Sequence, residues 1–222
     1  VDDIYVLHQR LKQRYPDVPL CIMGHSMGSF LTRTYLIRYP GTVKAAVIMG
    51  TGWQPRAAIT GGLALANAIA AVSGENATSE LVTELAFGSY NKLFAPNRTK
   101  VDWLSADESN VDDYIADPLC GADATVGLFR QMLHGIRFNQ RQSHLRQMDR
   151  EMPVLFVAGD KDPVGSCGKG VRQTYDAFRA AGMRDCTLKL YPGLRHEILN
   201  EKAYTADITK NIEAWLLSRL EK

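Results

Sequence analysis

Apolar and polar positions along the chain follow two rhythms in turn. Residues 3–14 (DIYVLHQRLKQR) set Ile4, Leu7 and Leu11 at helical spacing with Gln and Arg opposite, which predicts a surface helix ended by Tyr15-Pro16. Residues 19–23 (PLCIM) are a short apolar run between turn signals. From 28 to 39 the helical period returns, until Pro40-Gly41 stops it. Three more apolar runs read as buried strands, at 45–49 (AAVIM), 153–158 (PVLFVA) and 186–191 (CTLKLY), with helices predicted at 169–181 and 200–220. Apolar strands alternating with helices predict an α/β fold, a parallel sheet covered on both faces with its sites at the carboxyl ends of the strands.

Between the second and third of these strands the pattern changes. Residues 50–152 contain no convincing strand, only Ala- and Leu-rich helical pieces (GGLALANAIAAV, SELVTELAFGSYNKLF, ADATVGLFRQMLHGIRF) and the polar connection APNRTKVDWLSADESN. A crossover between parallel strands needs only about a dozen residues. We therefore expect residues 1–50 and 151–222 to form the α/β core and residues 51–150 a helical lid or cap insertion. Its aliphatic and aromatic side chains, among them Leu63, Leu85, Phe87, Tyr90 and Phe129, bury one helix face on the domain or also line an acyl-chain channel. Trp53, just past the second strand, is a candidate for the same wall.

Composition narrows the possibilities. Twenty-six Lys and Arg against 24 Asp and Glu leave a formal charge of +2, which gives no bulk basicity for nucleic acid. The most apolar run, 63–72, is about half of the roughly 20 residues a bilayer span needs, so no transmembrane segment is expected. Four dispersed cysteines, Cys21, Cys120, Cys167 and Cys186, form neither a CxxC pair nor a disulfide framework, and a cytoplasmic protein with reduced thiols is the simplest reading. Cys21, inside a strand, reads as a buried small hydrophobe. The chain opens on Val1 without a signal core, and a front-truncated piece of a longer protein is expected.

The chemistry centres on Gly24-His25-Ser26-Met27-Gly28, a G-x-S-x-G set between an apolar run and a helical pattern. A serine hydroxyl becomes a nucleophile only at a sharp exposed turn with a base beside it. The glycines permit close approach of strand and helix, and the backbone N–H of Met27 is placed to donate to an oxyanion. Such a serine requires a carboxylate and then a histidine, each just beyond a strand. Gly159-Asp160-Lys161-Asp162 follows the third strand, and Gly193-Leu194-Arg195-His196 follows the fourth. His196 is the candidate base. Asp160 and Asp162 compete as its partner, with a slight preference for Asp162, because Asp160 leaves the strand directly and can instead cap the turn.

Together GHSMGS, AGDKDPVG and GLRHEILNE resemble the α/β-hydrolase fold, and within it the bacterial lysophospholipase and monoacylglycerol-lipase branch grouped with the serine aminopeptidase S33 domain. VDWLSADESNVDDYIADPLCG resembles the lid of that branch. The resemblance spans about residues 3–217. It implies Ser26 as nucleophile, Asp162, which precedes Pro-Val, as acid, and His196 as base. One departure stands out. The branch carries a His-Gly loop upstream of the elbow that supplies a second oxyanion donor, and nothing before Ile4 matches it. Loss of one such donor costs about 10²- to 10³-fold in turnover, so low activity is expected of this chain alone. The strand at 19–23 is then expected at or near an open sheet edge, where pairing with another copy would make a homo-oligomer.

Other signals are weaker. His196-Glu197-Ile198-Leu199-Asn200 lacks the second His of a zinc-protease motif, and Gly168-Lys169-Gly170 lacks the spacing and hydroxyl of a phosphate loop. His25 reads as a packing residue. The run Arg137, Arg141, Arg146 and Arg150 reads as a solvated helix face, with phosphate recognition as the sharper alternative. The leading reading is a serine hydrolase of lipid esters, a monoacylglycerol or lysophospholipid, that needs no metal or organic cofactor. The same triad also suits short esters, thioesters or N-terminal peptides. A hydrolase-like module that binds without turnover is the reading from another class.

Overall fold

The computed structural model describes residues 1–220. Four strands, β1 (Cys21–His25), β2 (Ala45–Met49), β3 (Val154–Gly159) and β4 (Cys186–Tyr191), form one parallel sheet in the order β1-β2-β3-β4. Helix α1 (Asp2–Arg14) precedes β1, α2 (Met27–Arg38) joins β1 to β2, α8 (Lys169–Ala180) joins β3 to β4, and α9 (Thr205–Leu220) closes the fold. The sheet is α/β as expected.

Strand geometry explains how two layers of helices are held. Successive side chains of a strand point to opposite faces. Ala46, Ile48, Val154, Phe156 and Ala158 accordingly pack with Tyr35 and Leu36 of α2 and Val171 and Phe178 of α8. Val47, Met49, Leu155 and Val157 pack on the other face with Ile208 and Ile212 of α9. Every residue of β2 and β3 is buried, which is why these two strands read as unbroken apolar runs. Phe156 meets Phe178 edge-on with ring centroids 5.1 Å apart, and truncation of either ring to Ala is worth about 3–5 kcal/mol.

At the sheet's edge, β1 pairs only with β2 and starts two residues later than the apolar run predicted, continuing to His25. Cys21 is exposed there instead of buried, because an edge strand lacks the second neighbour that covers it. The last helix begins at Thr205, not 200. Residues 201–204 form a turn around Glu201, whose carbonyl accepts from the Tyr204 and Thr205 N–H groups.

The segment between β2 and β3 is helical among the described residues, apart from one isolated bridge, Thr78 to Thr125. It comprises α3 (Arg56–Ser73), α4 (Glu80–Phe87), α5 (Glu108–Ala116), α6 (Val126–Asn139) and α7 (Gln142–Leu145), with single 3₁₀ turns at Asn91–Phe94 and Asp102–Leu104. Sequence patterning missed α5 because only Val111 is buried on it, and what starts it is a polar cap: the Asp107 carboxylate accepts the Ser109 N–H at 3.0 Å. Helix α3 extends well before the apolar run 63–72, and by length and composition alone its 18 residues are apolar enough to cross a membrane. It buries only Ile59, Leu63 and Ala66, packing against α6.

Candidate active site

Because all four strands run the same way, the residue that leaves each one emerges at the same end of the sheet. Ser26 follows β1, Gly50 and Thr51 follow β2, Asp160 and Asp162 follow β3, and the turn bearing His196 follows β4. Parallel pairing thus gathers side chains that are far apart in the chain.

Ser26 holds φ 54° and ψ −121°, a left-handed backbone that a serine adopts only under constraint. The constraint is visible. Its N–H is bonded to the Met49 carbonyl of β2 at 3.1 Å, and its carbonyl accepts from the Ser29 N–H at 2.9 Å and the Ser29 hydroxyl at 2.6 Å. The two flanking glycines are not equivalent. A Cβ on Gly24 would lie 2.2 Å from the Gly28 carbonyl oxygen, whereas a Cβ on Gly28 would meet nothing within 4 Å. Only the first glycine is demanded by the close approach of β1 to α2. Met27 is the first residue of α2, and its N–H has no partner inside the helix.

His196 is 3% exposed and Asp162 is fully buried. The imidazole donates from Nδ1 to Asp162 Oδ2 at 3.0 Å, while Oδ1 accepts the Val164 N–H at 2.9 Å. Asp160 is engaged elsewhere: its Oδ1 accepts the Gly193 N–H at 2.8 Å and ties the turn after β3 to the turn after β4. The structure therefore separates the two carboxylates that sequence left in competition. Gly50 brings serine and histidine sides together, since a Cβ there would lie 3.1 Å from His196 Cε1 and 3.1 Å from the His25 ring. Among the described residues no hydrogen bond joins Ser26 Oγ to the imidazole.

His25 does more than fill space. Its Nε2–H donates to the His196 carbonyl at 3.0 Å, and the two rings lie 4.5 Å apart. Burial first, and then the proximity of His196, hold the His25 pKa below the usual imidazole value, so the neutral ring is favoured. Trp103, which sequence patterning did not single out, packs 5.2 Å from the His196 ring. The only signal for it was its place in the lid-like stretch. The segment carrying it is pinned to the histidine turn. Arg195 Nη1 donates to the Asp102 carbonyl and, at 2.9 Å, to the Ser105 carbonyl. The Glu197 N–H donates to the Leu104 carbonyl at 2.8 Å, and the buried Glu201 carboxylate accepts the Ala106 and Asp107 N–H groups at 2.8 and 3.1 Å.

Ser26 and Met27 open into a cavity of about 550 Å³ between the sheet end and α3, α4 and α6. Phe30, Leu85, Phe87, Leu128 and Phe129 are among its walls, and no Asp or Glu among the described residues lines it. Tyr90 also faces it, with its phenol pushed up to about 12 by burial and, to a lesser extent, by the Asp162 charge. Trp53 does not. It lines a separate cleft with Arg56 and Thr60 of α3 and Arg137 of α6, correcting its candidate place in this wall. No group of three or more His, Cys, Asp or Glu side chains among the described residues is arranged to hold a metal ion.

A nucleophile-elbow backbone, a buried His–Asp pair and a strand order that brings them to one sheet end define an α/β-hydrolase. The chain belongs to the serine aminopeptidase S33 family of hydrolases, whose model matches residues 1–203. It is 30% identical over 225 residues to a monoacylglycerol lipase of Mycolicibacterium smegmatis, covering 99% of this chain and 70% of that protein. It is 26% identical to the monoglyceride lipase of Mus musculus, spanning 65% of its length. Among solved structures, a thermostable carboxyl esterase from Bacillus coagulans superposes with a TM-score of 0.90 at 24% identity, over 98% of this chain and 70% of that one. The monoacylglycerol lipase of Paleococcus ferrophilus does so at 0.72 and 19% identity, over 98% and 74%.

Proposed function

We propose that this hydrolase cleaves carboxylic esters of long-chain acyl groups, monoacylglycerols or lysophospholipids, through an acyl-Ser26 intermediate. The observation that carries the reading is the apolar cavity opening directly onto Ser26, with Trp103, which packs on the His196 ring, in its wall. A cavity of this size, walled by Leu and Phe with few polar groups, matches a hydrocarbon chain.

In this reaction Ser26 Oγ attacks the ester carbonyl while His196 Nε2 accepts its proton. Asp162 holds the proton on Nδ1 and stabilises the imidazolium. The Met27 N–H, at the positive end of α2, donates to the oxyanion. Collapse of the tetrahedral species expels the alcohol, which takes the proton from His196. Water, activated by the same imidazole, then releases the fatty acid and restores the Ser26 hydroxyl. Residues 51–150 act as the cap that encloses the acyl chain, with Trp103 packed on the histidine ring and the 102–107 segment fixed to the histidine turn.

Peptide N-termini fit less well. An α-ammonium asks for a carboxylate, and none among the described residues lines the cavity. A p-nitrophenyl ester series of increasing acyl length, run beside monoacylglycerol and lysophosphatidylcholine, tests the assignment. Specificity rising with chain length supports it; a flat profile above short acyl groups overturns it. Labelling by a fluorophosphonate that is absent from S26A separates an enzyme from a module that only binds, since a mere binder leaves Ser26 unlabelled.

A further inference from the structure

The second cleft lies outside the active site. It has a volume of about 450 Å³, and three guanidiniums line it: Arg56 from the first turn of α3, Arg137 from α6 and Arg141 just after α6. The four arginines expected on one solvated helix face are split, because α6 ends at Asn139. Two of them, Arg137 and Arg141, line one cleft with Arg56. Among the described residues no Asp or Glu lines the cleft, and none of the three arginines forms an ion pair. Arg137 Nη2 donates to His134 Nδ1 at 3.1 Å, which neutralises no charge.

The placement is braced. The Gln140 side chain accepts the Gln54 N–H at 2.8 Å and donates to the Gln54 carbonyl at 2.8 Å, locking the entry of α3 to the end of α6. Arg56 then sits at the positive end of an 18-residue helix whose first turn holds no acidic residue and no side-chain cap. A cation at that end is locally unfavourable, and an anion in the cleft reverses the sign of the interaction.

We infer that this cleft is a binding site for a phosphate monoester, held by Arg56, Arg137 and Arg141 beside Trp53. Three cations lining one cleft without a counter-charge match a dianion better than a single carboxylate, and planar guanidinium forks match phosphate oxygens. The site is independent of the ester-cleavage reading. Only Ile59 is common to the walls of both cavities. The same chemistry is offered by a soluble phosphomonoester and by a phosphatidate headgroup in a membrane.

The test uses S26A protein, so that turnover plays no part. Titration with inorganic phosphate at low ionic strength, followed by calorimetry and by tryptophan emission, gives saturable binding. The emission change disappears in W53F while the heat persists. The R137Q/R141Q variant, altered at exposed positions and checked for an unchanged melting profile, binds at least about tenfold more weakly. Sedimentation with phosphatidylcholine vesicles, with and without phosphatidate, distinguishes the sources. Arginine-dependent recruitment only to phosphatidate vesicles assigns the headgroup; phosphate binding without recruitment assigns the soluble ligand. Phosphate that gives no saturable signal, or binds the variant as tightly as the parent, overturns the inference.

Discussion

Replacing Asp162 by Asn tests the carboxylate assignment by hydrogen-bond bookkeeping. The Asp162 carboxylate is fully buried, with Oδ1 accepting the Val164 N–H at 2.9 Å and Oδ2 accepting His196 Nδ1–H at 3.0 Å. An asparagine in that place must keep its carbonyl oxygen on Val164, because the amide NH₂ would otherwise face another donor. The NH₂ then points at Nδ1, which has to become an acceptor, and the imidazole proton moves to Nε2. In that tautomer His196 cannot take the Ser26 proton, and kcat falls by about 10⁴. Asp160→Asn is the control. Its amide oxygen can still accept the Gly193 N–H that Oδ1 accepts at 2.8 Å, and the rate stays within a few-fold while stability drops by about 1 kcal/mol or less. The measurements are initial rates on a p-nitrophenyl ester, the rate of fluorophosphonate attachment to Ser26, and a circular-dichroism melt to verify folding. Were D160N to lose as much as D162N, or D162N to retain more than about a tenth of the parent rate, the tautomer argument would fail.

Further outcomes follow from the same geometry. G24A drives a methyl group into the Gly28 carbonyl and should cost about 3 kcal/mol or more, whereas G28A should be neutral or slightly stabilising; equal chemical-denaturation midpoints for the two would contradict this. E201Q can satisfy only one of the Ala106 and Asp107 N–H groups and turns a donor toward the other, so we expect a loss of about 2 kcal/mol, read as a melting point lower by roughly 6 °C. The folded-state pKa of His25 is depressed, so its neutral form contributes stability that is fully present above the ordinary value of 6.5 and is lost as pH falls from there toward the folded-state pKa. Thermal melts over that range should therefore decline more steeply for the parent than for H25N, and parallel curves would count against the buried-neutral assignment.

Much of this protein was written in local pattern. Unbroken apolar runs at 45–49 and 153–158 predicted central strands, found at 45–49 and 154–159, because a strand with neighbours on both sides and helices on both faces has nowhere to put a polar residue. The strand–turn–helix setting of Ser26, and the order serine, carboxylate, histidine with each just past a strand, followed from chain order in a parallel sheet. What depended on distance through space was not legible. Asp160 and Asp162 are two residues apart and chemically identical, and only the packing of the turns sends one carboxylate to Gly193 and the other to His196. Trp103 reaches His196 from another segment, and Trp53 lines a cleft separate from the one at Ser26. A sequence carries the period of each element and the order of its motifs, since these arise from neighbours in the chain. The rotation of one element against another is fixed by contacts between distant residues, and those contacts chose the carboxylate, the cavity wall and the arginine cluster.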